Sequence, residues 1–314
     1  MFPTVSDIIR YFTGINLPLP LQTFGAFMAL GFVASYIIYK LEFKRKEREG
    51  WLLPILKKQT FFSPARTIHP YQLMDQILLW CGIFGLIGAF VFHKLEHVED
   101  WISDPLHRFF TFEGLTWYGA LIFGIATILV IAKQNKIKLI HVMDMGSPAL
   151  TLGYAVGRVG CHLSGDGDWG ITNLSPKPSM LKWLPNWAWA FRFPHNRVNE
   201  GIPINNCTGN YCSELEFPVF PTSFYEAVFC GMIFLFLWTI RKRIQRPGIM
   251  FGIYCVLTGT ERILIEQLKA NPSYNFLGMQ VQQAEFISGI FILTGISVLL
   301  YYTWRPLHKP DIVR

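Results

Sequence analysis

Charge is what this sequence is short of. Only 16% of its 314 residues are charged, against 51% hydrophobic, and the mean hydropathy is positive. That balance excludes an ordinary soluble protein and reads as a polytopic membrane protein. Also missing are a Walker phosphate loop and a dinucleotide fingerprint. No internal repeat is present, which weighs against a carrier built from two related halves. Met1 to Pro20 lack the basic start, short apolar core and small-residue cleavage site of a secretory signal, so no processing is expected. No second Cys pair or His-x-x-x-His accompanies Cys207 and Cys212, and Asp166-Gly167-Asp168 lacks the further acidic ligands of a calcium loop. Neither a metal nor another cofactor is expected.

What is present is apolar sequence in stretches of membrane-spanning length, for which about 20 residues are needed. Seven candidates run over residues 20–39, 76–95, 117–133, 145–165, 219–240, 248–268 and 281–303. The expected fold is therefore all-α, a single integral membrane domain over residues 1–314. The net charge of +7 is distributed relative to these spans, which makes nucleic acid an unneeded explanation. Segments on one side hold 18 Lys and Arg and those on the other hold 8. The positive-inside rule then places the C-terminus in the cytoplasm and the N-terminus outside.

Two outer segments stand apart. Ile8, Ile9, Tyr11 and Phe12 recur at helical spacing, as in a short amphipathic helix lying on the membrane surface. Residues 166–218 hold Trp169, Trp183, Trp187 and Trp189 among prolines, which suits an arm or lid at the water–lipid interface. An inert loop is the plainer alternative. Within it, Cys207 and Cys212 could form a disulfide in an oxidising compartment.

The chemistry concentrates in residues 157–170, where Arg158, His162, Asp166 and Asp168 lie in glycine-rich sequence after an uncharged run, Met145 to Val156. An arginine in hydrocarbon costs roughly 2.5–3.5 kcal/mol on insertion scales, so such groups are functional candidates by default. The structural alternative is an arginine that pairs with a carboxylate and only orients the bundle. Helix rise of about 1.5 Å per residue places Arg158 and Arg262 roughly 20 Å from the inner surface, and Glu226 about 10 Å below the outer one. In a core about 30 Å thick the three coincide in the outer half. Glu266 follows Arg262 by four residues and shares its helix face, allowing an ion pair. Two guanidinium forks at one depth suit the phosphate of a phospholipid, which they can grip through paired hydrogen bonds.

These residues carry a resemblance. Gly157-Arg158-Val159-Gly160, Trp169-Gly170, Phe220-Pro221-Thr222-Ser223-Phe224-Tyr225-Glu226 and Gly259-Thr260-Glu261-Arg262 with Glu266 resemble, in order, the motifs of the prolipoprotein diacylglyceryl transferase family. Asp144, Pro148, Gly153 and the stretch Gly114-Leu115-Thr116-Trp117-Tyr118-Gly119 extend the similarity to residues 20–303. The resemblance implies an enzyme of the bacterial inner membrane that moves the diacylglyceryl group of phosphatidylglycerol onto the lipobox cysteine of a prolipoprotein signal peptide. It implies that Arg158 and Arg262 hold the lipid phosphate, Glu226 and Glu266 orient them or the glycerol, and Gly157, Gly160, Gly170 and Tyr225 line the lipid site.

The chain departs from the family pattern at Tyr118, where a histidine is usual, and at Cys161, Phe220, Ser223 and Thr258. Its central motif is one residue longer at Asp166-Gly167-Asp168. His162 or Asp166 is read as the replacement base, since an imidazole with a pKa near 6.5 suits the task. Tyr118 is read as a hydrogen-bond donor to lipid. The alternatives are a membrane protein that binds phospholipid or another anion without catalysis, one that transports it unchanged, and a transferase with a different acceptor.

Overall fold

Backbone amides in hydrocarbon find no water, so sequence this apolar must satisfy its hydrogen bonds internally, as helices do. The structure, a computed structural model, describes residues 1–57, 66–96, 117–207, 209–269, 273–276 and 279–304. After a short α1 (Val5–Thr13), a long helix occupies each of the seven apolar stretches. These are α2 (Thr23–Arg48), α3 (Leu73–Glu96), α4 (Trp117–Gln134), α5 (Leu139–Ser164), α6 (Thr222–Ile240), α7 (Ile249–Glu266) and α8 (Gln283–Trp304). Among the described residues, four helices are long and apolar enough to cross a membrane: Thr23–Arg48, Pro70–Leu95, Thr222–Ile240 and Ala284–Trp304. The strands form three two-stranded antiparallel ribbons, β1–β2 (Ile55–Lys57, Arg66–Ile68), β3–β4 (Ile202–Pro203, Ser213–Glu214) and β5–β6 (Ser273–Phe276, Met279–Gln282). Gly114, Leu115 and Thr116 lie outside the described residues, and Tyr118 is described as part of α4 by its backbone alone.

The chain forms two compact units, with boundaries inside α2 and α5. In the unit made of Ile38–Met145, α3 packs along α4. At the basic end of α2, Arg45 is buried between Glu42 and Glu49, at 2.6 and 2.8 Å, and the Lys46 ammonium lies 5.4 Å from the Trp51 ring centre.

The other unit contains Met1–Ile37 and the chain from Gly146. Its helix α1 starts on a capping box in which Thr4 and Asp7 bond reciprocally, and ends at Gly14 in the left-handed region. Tyr11 and Phe12 are left exposed on it. The first part of α2 lies against α5 so closely that a Cβ on Gly160 would meet the Phe27 Cβ at 2.5 Å, and one on Gly157 would sit 3.2 Å from the Met28 sulfur. Gly160 in particular lets the two helices approach. Helix α7 packs against both α6 and α8.

Between α5 and α6 the chain is mostly irregular, with 3-10 turns at Ser179–Leu181 and Asn186–Ala188. Phe193, Leu215 and Val219 give this segment a small core of its own, which Met1, Trp169 and Phe191 flank. Cys207 and Cys212 are disulfide-bonded at its far end, with sulfurs 2.04 Å apart. Met180 and Trp183 project outward, 86% and 77% exposed.

Candidate functional site

Helix α5 ends at Ser164, and the left-handed Gly165 and Gly167 (φ 63° and 99°) then turn the chain back. That reversal brings Asp168 onto Arg158, ten residues earlier, as an ion pair. Arg158 is further held on its own helix. Its Nη2 donates to the Tyr154 hydroxyl at 2.7 Å, and its Cζ lies 4.7 Å from the centre of that ring.

Glu226 sits one turn into α6 and is fully buried. Its carboxylate joins the three elements: Oε2 lies 2.8 Å from Arg158 Nε, and Oε1 accepts from Arg262 Nη1 at 2.7 Å. The depth estimate from helix rise is matched here by contact. Glu266 pairs with Arg262 at 3.2 Å, at the expected spacing of four residues.

The partners of two members were not apparent in the sequence. Lys269, just past the end of α7, donates to Asp168 Oδ1 and stands 3.2 Å from Glu226 Oε1. Burial pushes its ammonium below the ordinary lysine range, with the Glu226 carboxylate opposing that shift. Asp168 is the second; both lie in loops, where no periodicity assigns a face. Tyr154 was within reach of sequence reasoning, four residues before Arg158 on one helix.

The remaining candidates surround this cluster unevenly. Gly170 donates to Phe220 O and Ile171 to Leu268 O, both at 2.8 Å, fastening the root of the Trp-rich segment to the start of α6 and the end of α7. A side chain at Gly170 would collide with Leu268 O at 2.5 Å. The Tyr225 hydroxyl donates to Ala188 O at 2.8 Å, another tie to that segment. Asp166 Oδ1 accepts the amide of Asp168 at 3.3 Å and so shapes the turn. His162 is buried among the rings of Trp187, Phe191, Phe193 and Phe224, with centroids 5.6 to 6.1 Å away. No hydrogen-bond partner meets its Nδ1 among the described residues.

The result is a partly buried point where two guanidinium groups and an ammonium meet three carboxylates, Glu226, Glu266 and Lys269 being enclosed while Arg158, Arg262 and Asp168 stay partly exposed. Such a cluster costs desolvation and repays it only through complete pairing, which makes it a weak device for stability alone. Pre-aimed cations in a partly enclosed place can stabilise charge that develops on an anion.

The model of the family described as prolipoprotein diacylglyceryl transferase matches residues 11–301. The chain belongs to the prolipoprotein diacylglyceryl transferase family. Curated relatives in that family carry the name phosphatidylglycerol–prolipoprotein diacylglyceryl transferase. The protein of Leptospira interrogans is 27% identical over 264 residues, covering 80% of this chain and 72% of the relative. That of Oceanobacillus iheyensis is 25% identical over 232 residues, covering 73% of each. That of Stenotrophomonas maltophilia is 21% identical over 305 residues, covering 94% and 92%. Family membership and the run of apolar helices make this a multi-pass membrane protein.

Proposed function

We propose that this protein transfers the diacylglyceryl group of phosphatidylglycerol to the lipobox cysteine thiol of a prolipoprotein, releasing glycerol phosphate. The observation that carries this reading is the junction of Arg158 and Arg262 on the one buried carboxylate of Glu226. Their spacing across Glu226 sets two forks toward one place, where the lipid phosphate binds.

In the reaction the sulfur attacks the glyceryl carbon, the bond from that carbon to the phosphate oxygen breaks, and charge gathers on the phosphate. Arg158 and Arg262 stabilise that charge without reorganising, because Tyr154, Asp168, Glu226 and Glu266 already fix their planes. Lys269 adds a third positive charge and holds Asp168 in place. The nucleophile arrives on the substrate. Cys161 and Cys230 are buried free thiols, and the Cys161 sulfur lies 4.0 Å from Arg158 Nη1.

The protein lies in the inner membrane with seven spans, the N-terminus outside and the C-terminus in the cytoplasm, following the asymmetry of its Lys and Arg. Helix α1 and the Trp-rich segment rest at the outer surface, with Tyr11, Phe12, Met180 and Trp183 toward lipid.

The test is a reconstituted assay with labelled phosphatidylglycerol and a lipobox peptide, run beside Arg158→Ala and Arg262→Ala. Label on the peptide cysteine, lost in both variants, is the expected result. Arginine-dependent lipid binding without transfer would replace this reading with that of a non-catalytic lipid binder.

A further inference from the structure

The transfer needs a proton acceptor, because a thiol has a pKa near 8.5 and attacks as the thiolate. A carboxylate engaged by a cation is a poor acceptor, since the partner favours its ionised form. Asp168, Glu226 and Glu266 are all engaged in this way. Asp166 is occupied by its own turn, and His162 is enclosed by aromatic rings.

One carboxylate is left over. Glu261 precedes Arg262 on α7 and is 8% exposed, yet among the described residues it makes no ion pair, and its buried Oε1 has no hydrogen-bond partner. It nevertheless lies within electrostatic range of Glu226, Arg262, Arg158 and Lys269. Tyr154 on α5 and Cys230 on α6 also lie within electrostatic range of it. A buried acceptor without a partner is costly to keep, at about 1–3 kcal/mol. The cost is explained if a donor arrives with the substrate.

We propose that Glu261 is the acceptor of the proton from the incoming cysteine thiol. The claim rests on the transferase reading. The S–H proton passes to the Glu261 carboxylate and the sulfur pair forms the bond to the glyceryl carbon. The carbon–oxygen bond breaks with its electron pair on the phosphate oxygen, and glycerol phosphate departs from Arg158 and Arg262. Neighbouring positions on a helix point about 100° apart. Glu261 and Arg262 can therefore serve the entering sulfur and the leaving phosphate from different sides of the reacting carbon, as displacement requires.

The experiment compares the full-length wild type with Glu261→Gln and Glu261→Asp in phosphatidylglycerol vesicles, using a lipobox peptide between pH 6 and 9. Binding of labelled phosphatidylglycerol is measured in parallel. The expected result is a loss of about 100-fold or more in Glu261→Gln at pH 7. Lipid binding should be unchanged, the deficit should shrink as rising pH ionises the peptide thiol, and Glu261→Asp should recover part of the rate. A Glu261→Gln enzyme within threefold of wild type at every pH overturns the assignment. So does a deficit that is flat with pH and accompanied by lost lipid binding, which would make Glu261 a structural group. Failure of the wild type itself to transfer label would overturn the transferase reading and this assignment together.

Discussion

Arg158 and Asp168 form an ion pair across the end of α5, the arginine still in the helix and the aspartate four residues beyond its last turn. The guanidinium is therefore aimed partly by a loop. Asp168→Asn should leave the helices intact but free one side of Arg158. Misplacement of a substrate-positioning group by about 1 Å can cost 100-fold in rate. We expect a loss approaching that in the label-transfer assay, with normal amounts of protein in the membrane.

Glu226 carries a different burden, since it is fully buried against Arg158, Arg262 and Lys269. Glu226→Gln keeps its shape but removes the charge that reconciles three cations. Breaking a buried pair in this way costs about 3–5 kcal/mol. The expected outcome is a lower unfolding temperature in detergent as well as lost transfer, which separates this variant from Asp168→Asn.

His162 separates two readings of the base. Its ring fills a space between Trp187, Phe191, Phe193 and Phe224. His162→Phe should retain most of the transfer activity, because packing is kept. His162→Ala should loosen the Trp-rich segment and increase its cleavage by protease. Abolished transfer in His162→Phe, with folding intact, would return the imidazole to the role that sequence alone assigned it.

Gly160 gives a test of packing. A methyl group there collides with the Phe27 Cβ, so Gly160→Ala should reduce stability by about 1–3 kcal/mol. Removing the atom on the other side, in Gly160→Ala with Phe27→Gly, should restore part of the yield of folded protein. Equal yields from the single and double variants would argue against this contact.

Replacing Cys207 and Cys212 by Ser should remove about 2 kcal/mol of local constraint on a loop this short. Protease sensitivity near residues 200–212 is expected to rise while transfer is unchanged, since the bond lies in the segment and not among the paired arginines.

The helices were legible because apolar length is a strong signal, and Arg158, Arg262, Glu226 and Glu266 were legible because helix rise converts sequence position into depth. The pairing of Asp168 and Lys269 was not, because it depends on how a loop folds back after α5 and on where α7 stops. Glu261 was visible as part of a motif but not as a group apart. Its neighbour Arg262 gave that helix face its obvious meaning. The glycines carried an ambiguous signal, since close helix packing and close ligand approach ask for the same missing side chain.

Every cation of the cluster is already matched by a carboxylate before any lipid arrives: Arg158 by Asp168 and Glu226, Arg262 by Glu226 and Glu266, Lys269 by Asp168 and Glu226. A free inorganic anion entering from water would have to compete with these tethered groups and bring nothing else to offset the exchange. A phosphate attached to acyl chains arrives with the bilayer already holding it in place. If the cluster holds the lipid phosphate as proposed, the internal pairing would act as a filter, closed to small soluble anions and open to one delivered laterally by the membrane.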